Sequence, residues 1–213
     1  MKIEGAIFDL DGTLIDSMVM WDTLASTYLL ETHGIVADPS VDDTINELNG
    51  VGACKLIREW FNLEETEEEI EETYCKIIRR FYCERVQLKP GVETMLKHLK
   101  DKGVKICIVT ATARNLMEPA LERLGIGHYV SAVFGGADKS KPDAYERALA
   151  FLNRPKENTV IFEDALYAIE TAKAAGYPVV AVYENSFRKD ADRIRTLADV
   201  YVDTMDQALT DIE

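Results

Sequence analysis

Two carboxylates one residue apart, Asp9 and Asp11, interrupt the apolar run AIFDLDGTLIDS at residues Ala6–Ser17. Charge is costly to take out of water unless something pairs with it, so an oily strand ending in this pair calls for partners elsewhere in the chain. Three further places offer them. Thr110 closes KICIVT, Glu163 and Asp164 close TVIFED, and Lys141 stands in DKSKPD just ahead of a proline-started helix. Carboxylates with one hydroxyl and one lysine form an inventory suited to Mg²⁺ and a phosphoryl group, because hard oxygen ligands hold the ion while a substrate phosphate completes its shell. Histidine plays no part in this set: His33, His98 and His128 are scattered and read as structural or exposed. No GxxxxGK loop is present, which disfavours nucleoside-triphosphate chemistry of that kind.

Taken singly, each of these residues also has a structural use. Asp9 and Asp11 can form a turn with Gly12. Thr110 can simply end its strand, with the TAT segment capping the next helix. Glu163 and Asp164 can cap the helix that starts near Ala165, and Lys141 can be a solvated lysine. It is their joint order and placement that favour chemistry, since ligands of open parallel sheets bind outside the carboxyl ends of the strands.

The elements that must bring these residues together are legible from about Val104 onward. VKICIVTAT, AVFGG, TVIFED and PVVAV read as strands, separated by helical patterns in NLMEPALERLGI, PDAYERALAFL and ALYAIETAKAAG. Gly125 and Gly176 mark helix stops, and Pro142 is placed for the first helical position. The tail continues with FRKDADRIRTLA, DVYVD and MDQALTDI. This alternation predicts an α/β fold, a Rossmann-like parallel sheet with helices on both faces. IEGAIFDL belongs to the same set, but between Met18 and Val86 the strand signal disappears. There WDTLASTYLLETHG carries one apolar stripe at Trp21, Leu24, Ala25, Tyr28 and Leu29. VGACKLIREWFNL and TEEEIEETYCKIIRRFYCERV also read as helices, and the acidic run of the latter suits the solvated start of one. The expected organisation is a core domain, residues 1–15 plus 88–213, with a small all-helical domain, residues 16–87, inserted after the first strand. Within NELNGVGACKLI, Asn46 to Ile57, the NG pair reads as a turn.

Bulk properties narrow the partners. A chain of 213 residues with 47% hydrophobic and 29% charged residues is long enough for one domain with a substantial insertion. Its formal net charge of −14 argues against nucleic acid and anionic membrane surfaces, which recruit basic patches. The four cysteines, Cys54, Cys75, Cys83 and Cys107, form no CxxC pair, so buried thiols in a reducing compartment are expected. With no signal peptide and no apolar run near the ~18 residues of a membrane span, the expected location is the cytoplasm. The expected partner is a small-molecule phosphate ester. The residues do not fix the oligomeric state, for which a monomer is the expectation.

The order FDLDGTLIDS, CIVTAT, KSKPDAY and VIFEDALYAIETAKAAG resembles the four motifs of the haloacid dehalogenase superfamily, in particular its capped phosphatase and beta-phosphoglucomutase-like subgroup. The inserted helices resemble that family's helical cap. Two details depart from the pattern: Ala165 stands where many relatives have serine or threonine, and the loop GGADKSKP before Lys141 is short. The resemblance implies that Asp9 is a nucleophile forming an aspartyl-phosphate. It implies that Asp11 is the acid and base, its backbone carbonyl binding Mg²⁺ together with Asp9, Asp164 and, directly or through water, Glu163. Thr110, the backbone N–H of Ala111 and Lys141 would hold the phosphoryl oxygens. Ionised Asp9, Glu163 and Asp164 with a phosphate dianion sum to about −5, so Mg²⁺ and the lysine are both needed. A phosphatase is the expected activity. A phosphosugar mutase of the same family is the nearest alternative, and a phospho-receiver signalling module without turnover is a more remote one.

Overall fold

The computed structural model describes residues 1–46, 48 and 50–212, with side chains left aside at 50 and 51. The Asn49–Gly50 turn expected from the sequence therefore lies outside the described residues. The chain divides into two compact units, Met1–Asp16 with Gln87–Glu213, and Ser17–Val86. In chain order the elements are β1 (Gly5–Phe8), then helices α1 (Met18–Trp21), α2 (Leu24–His33), α3 (Ser40–Ile45), α4 (Gly50–Phe61) and α5 (Glu67–Glu84). There follow α6 (Val92–Asp101), β2 (Lys105–Val109), α7 (Arg114–Arg123), β3 (Ala132–Phe134), α8 (Asp143–Leu152) and β4 (Thr159–Glu163). The chain closes with α9 (Leu166–Ala174), β5 (Val179–Val182), α10 (Ala191–Leu197) and β6 (Val200–Val202).

The second unit is all helical. Its longest helix, α5, starts where Thr66 and Glu69 cap each other: the Glu69 N–H donates to Thr66 Oγ1 at 3.2 Å and the Thr66 N–H to Glu69 Oε2 at 2.8 Å. Glu67, Glu68 and Glu69 occupy the first turn, where the helix dipole favours negative charge, while Ile70, Tyr74, Ile77, Ile78 and Tyr82 form the buried stripe. The apolar stripe expected from Trp21 to Leu29 breaks into α1 and α2. Thr23 precedes the second of them without a side-chain capping bond, its hydroxyl donating back to the Val19 carbonyl at 2.7 Å, a local bond that competes with continuous helix. Leu24, Ala25, Tyr28 and Leu29 remain on the buried face.

The first unit carries one six-stranded sheet in the order β3-β2-β1-β4-β5-β6, and every strand pair is parallel. The residues of β1, β4 and β5 are buried throughout, as expected of strands covered on both faces. Their apolar runs interlock in register, with Phe8 opposite Phe162 and the two rings stacked 4.1 Å apart. From β1 the chain builds outward through β2 and β3, then crosses back to lay β4 on the other side of β1. The gap beyond the carboxyl ends of β1 and β4 is therefore the topological switch point, where such sheets leave a crevice. The tail forms α10 and β6, flanked by 3-10 turns at Asn185–Asp190 and Met205–Thr210 rather than by full helices.

Gly91, just before α6, takes φ +81°, and a Cβ there would run into the side chain and backbone of Asp206. Gly91→Ala should cost about 2–3 kcal/mol through combined backbone strain and overlap. Urea unfolding would measure it, and an unchanged midpoint would contradict this packing.

Candidate active site

At the switch point, β1 delivers Asp9 beside the end of β4. The Asp9 N–H donates to the Phe162 carbonyl at 2.9 Å, so the strand pairing runs one residue past Phe8 and sets Asp9 alongside Glu163. Gly12 then turns the chain out of the sheet at φ +84°, its N–H donating to the Ile15 carbonyl at 3.0 Å. This tight turn aims Thr13 back into the site, where its hydroxyl donates to Asp164 Oδ1 at 2.9 Å. Asp9, Thr13, Glu163 and Asp164 are all buried, and Asp11 is half-buried.

The sequence reading is corrected at the lysine. Lys139, not Lys141, enters the site: its ammonium donates to Asp9 Oδ1 at 2.6 Å and also to Glu163 Oε1, and its side chain is 5% exposed. Lys141 is 70% exposed and pairs with Asp138 at 2.7 Å. The local turn explains the difference. Asp138 Oδ1 accepts from the backbone N–H of Ser140 at 3.1 Å and from its hydroxyl, while the Lys141 N–H reaches the Asp138 carbonyl at 3.2 Å. Asp138 and Lys141 thus close the turn on its solvent side, and Lys139 at the second position faces inward. Hydrogen bonds from Lys141 and Ser140 hold the Asp138 carboxyl down at about 2.

Thr110 and Asp11 do come together, with Thr110 Oγ1 3.3 Å from Asp11 Oδ2. Ala111 lies exposed beside them. Besides Lys139, two more site residues were absent from the sequence reading. Thr13 follows the Asp–Gly turn directly, and Thr112 donates its hydroxyl to Asp11 Oδ2 at 2.8 Å. The i, i+2 spacing of TAT was the available signal for Thr112, whose N–H folds back to Thr110 Oγ1 at 3.1 Å. Neither threonine caps α7, whose first flanking residue is Ala113. Glu163 serves the helix as well as the site: Oε2 accepts from the backbone N–H groups of Asp164 at 2.8 Å and Ala165 at 3.0 Å.

The charges do not balance within the protein. Asp9, Glu163 and Asp164 present carboxylate oxygens within 4.8 Å of one another, against the single ammonium of Lys139. Burial pushes the Asp9 carboxyl up to about 7 despite the opposing pull of Lys139, with Glu163 and Asp11 adding to the rise. Burial likewise holds Asp164 well above the usual carboxylate range, helped by Glu163 and Asp9. Burial works against the Lys139 ammonium, but Asp9 and Glu163 outweigh it and keep that ammonium well above its ordinary value. Asp164 Oδ2 is buried with no hydrogen-bond partner. An orphaned carboxylate oxygen in a cluster short of positive charge fits a divalent hard cation such as Mg²⁺. Among the described residues this is the one such cluster of three metal-ligating side chains.

A pH dependence follows. Because the folded Asp9 titrates at about 7 and an unfolded aspartate near ~4, the folded chain binds this proton more tightly. The stabilisation is complete below ~4 and is lost as pH rises through about 7. Asp164 shifts in the same direction, and Lys139 stays charged across this window. In chelator the protein should therefore lose stability between about pH 5 and 8. Mg²⁺ at a hundredfold excess over its Kd should restore about 2.7 kcal/mol near pH 8, and less near pH 5, where protons compete. Thermal melts with and without chelator measure both, and a flat or rising profile in chelator would count against this electrostatic account.

Residues 6–182 match the model of the haloacid dehalogenase-like hydrolases. A phosphorylated carbohydrates phosphatase of Thermotoga maritima is 28% identical over 181 residues, 82% of this chain and 82% of that protein. A phosphoglycolate phosphatase of Rhodobacter capsulatus is 30% identical over 192 residues, 86% of this chain and 85% of that one. The fold is shared with a solved structure of a candidate beta-phosphoglucomutase from Thermotoga maritima, at a TM-score of 0.84 and 23% identity over 98% of each chain. The matched span runs from the strand that carries Asp9 through the strand that follows Glu163 and Asp164. This chain belongs to the haloacid dehalogenase-like hydrolase family.

Proposed function

We propose that this protein is a Mg²⁺-dependent phosphatase that hydrolyses a small phosphate monoester through an aspartyl-phosphate on Asp9. The observation that carries the reading is the convergence of Asp9, Lys139 and the unpartnered Asp164 Oδ2 at the switch point. Relatives named as phosphatases of phosphorylated carbohydrates and of phosphoglycolate support it. Asp9, Asp164 and the backbone carbonyl of Asp11 are the groups assigned to hold the metal. Glu163 joins them directly or through water, and its oxygens also fix Lys139 and the start of α9. When bound, Mg²⁺ supplies the positive charge that lets a phosphate dianion approach a carboxylate.

In the first half-reaction an Asp9 oxygen attacks phosphorus, and the bond from phosphorus to the leaving alcohol breaks. Asp11 delivers a proton to the departing oxygen. In the second, the Asp11 carboxylate takes a proton from water, whose oxygen attacks phosphorus and frees Asp9 and inorganic phosphate. The Thr110 hydroxyl and the Ala111 N–H steady the phosphoryl oxygens beside the Lys139 ammonium. Each like-charge pair at ~4 Å costs about 4 kcal/mol at an effective dielectric of 20, so the lysine contributes chiefly by lowering repulsion.

Asp9→Asn should reduce phosphate release to background, and chelation should do so reversibly. Lys139→Ala should cost at least ~100-fold in kcat/KM, whereas the exposed Lys141→Ala should stay within about twofold. Release of inorganic phosphate from a panel of sugar phosphates, phosphoglycolate and nucleoside monophosphates in Mg²⁺ measures each of these. Full turnover by Asp9→Asn, or isomer formation in place of phosphate release, would overturn the reading.

A further inference from the structure

Asp11 has two hydroxyls on one oxygen, and they are not equivalent. Thr110 Oγ1 accepts the Thr112 N–H at 3.1 Å and reaches Asp11 Oδ2 at 3.3 Å, whereas Thr112 Oγ1 reaches the same oxygen at 2.8 Å. A hydroxyl has one proton to donate. Once Thr110 turns that proton to a phosphoryl oxygen, its hold on Asp11 is released and Thr112 keeps its own. We infer that Thr112 is a positioning residue, which fixes the orientation of the Asp11 carboxyl for proton transfer to the leaving oxygen.

Thr112 is itself held firmly. It is buried, and its carbonyl accepts the Gly136 N–H at 3.0 Å while the Ala137 N–H donates to the Thr110 carbonyl at 2.9 Å. Gly135 permits this approach, because a Cβ there would lie 3.0 Å from the Thr112 carbonyl oxygen and 2.9 Å from the Arg114 nitrogen. The two glycines of VFGG thus let one loop backbone clip both threonines in place. A donor bound to Oδ2 disfavours a proton on that oxygen, and proton transfer depends steeply on the placement of the acid.

The inference rests on Asp11 acting as the acid in the proposed phosphatase. Its test compares kcat/KM, which covers the steps through leaving-group departure, for p-nitrophenyl phosphate and phenyl phosphate. The first leaving group departs without a proton, and the second needs one. Thr112→Val should lose about 10- to 100-fold with phenyl phosphate and less than about threefold with p-nitrophenyl phosphate. Thr112→Ser should return both to within about threefold of the unaltered chain. Thr112→Ala removes the hydroxyl by a second route and must show the same split should the valine variant not fold. Equal losses on both esters, or no recovery with serine, overturn the inference. Asp11→Asn separates the two failures. If it discriminates between the esters and Thr112→Val does not, the positioning role alone falls. If Asp11→Asn shows no discrimination, or the unaltered chain turns over neither ester, the acid role falls and the positioning role with it.

Discussion

One ammonium facing three buried carboxylates is the constraint around which the site is arranged. Lys139 is shared by Asp9 and Glu163, yet the cluster still lacks positive charge, and the raised proton affinities of Asp9 and Asp164 express that deficit. Such an arrangement persists only where the surrounding structure over-determines it. Here the parallel pairing of β1 with β4 fixes the spacing of Asp9 and Glu163, and Glu163 ties itself to the backbone opening α9. The instability is local and is offset by the apolar sheet beneath, where Phe8 and Phe162 stack in register.

The switch point explains why this repulsive cluster forms at one place. Because β1 is central and the chain crosses over it to reach β4, two strand ends meet at the switch point, where such sheets leave a crevice. β2 adds Thr110 and Thr112 from the other side of β1, and the loop after β3 adds Lys139. Four segments far apart in sequence thus contribute to one crevice, each through the residues just past a strand end.

Within that crevice the structure separates two kinds of support. Carboxylates facing Lys139 are held by charge and backbone N–H groups, and Asp11 is held by neutral hydroxyls. That division suits a pair of aspartates one residue apart with different tasks. The nucleophile assigned to Asp9 must stay ionised beside cations, while the acid and base assigned to Asp11 must gain and lose a proton.

The sequence by itself determined the parallel α/β architecture, because buried strands and amphipathic helices write their periods into consecutive residues. It also singled out Asp9, Asp11, Thr110, Glu163 and Asp164, since each follows a recognisable apolar run. It did not determine which lysine of DKSKPD faces inward. That choice hangs on a turn closed by Asp138, Ser140 and Lys141, a few hydrogen bonds whose geometry no periodicity announces. The break between α1 and α2 at Thr23 escaped for the same reason. Only the tertiary structure could assign Thr13 to Asp164 and Thr112 to Asp11, because those partners lie 151 and 101 residues apart. Local pattern fixes what each segment becomes, whereas side-chain partnership between strand ends is decided when the sheet assembles and brings them together.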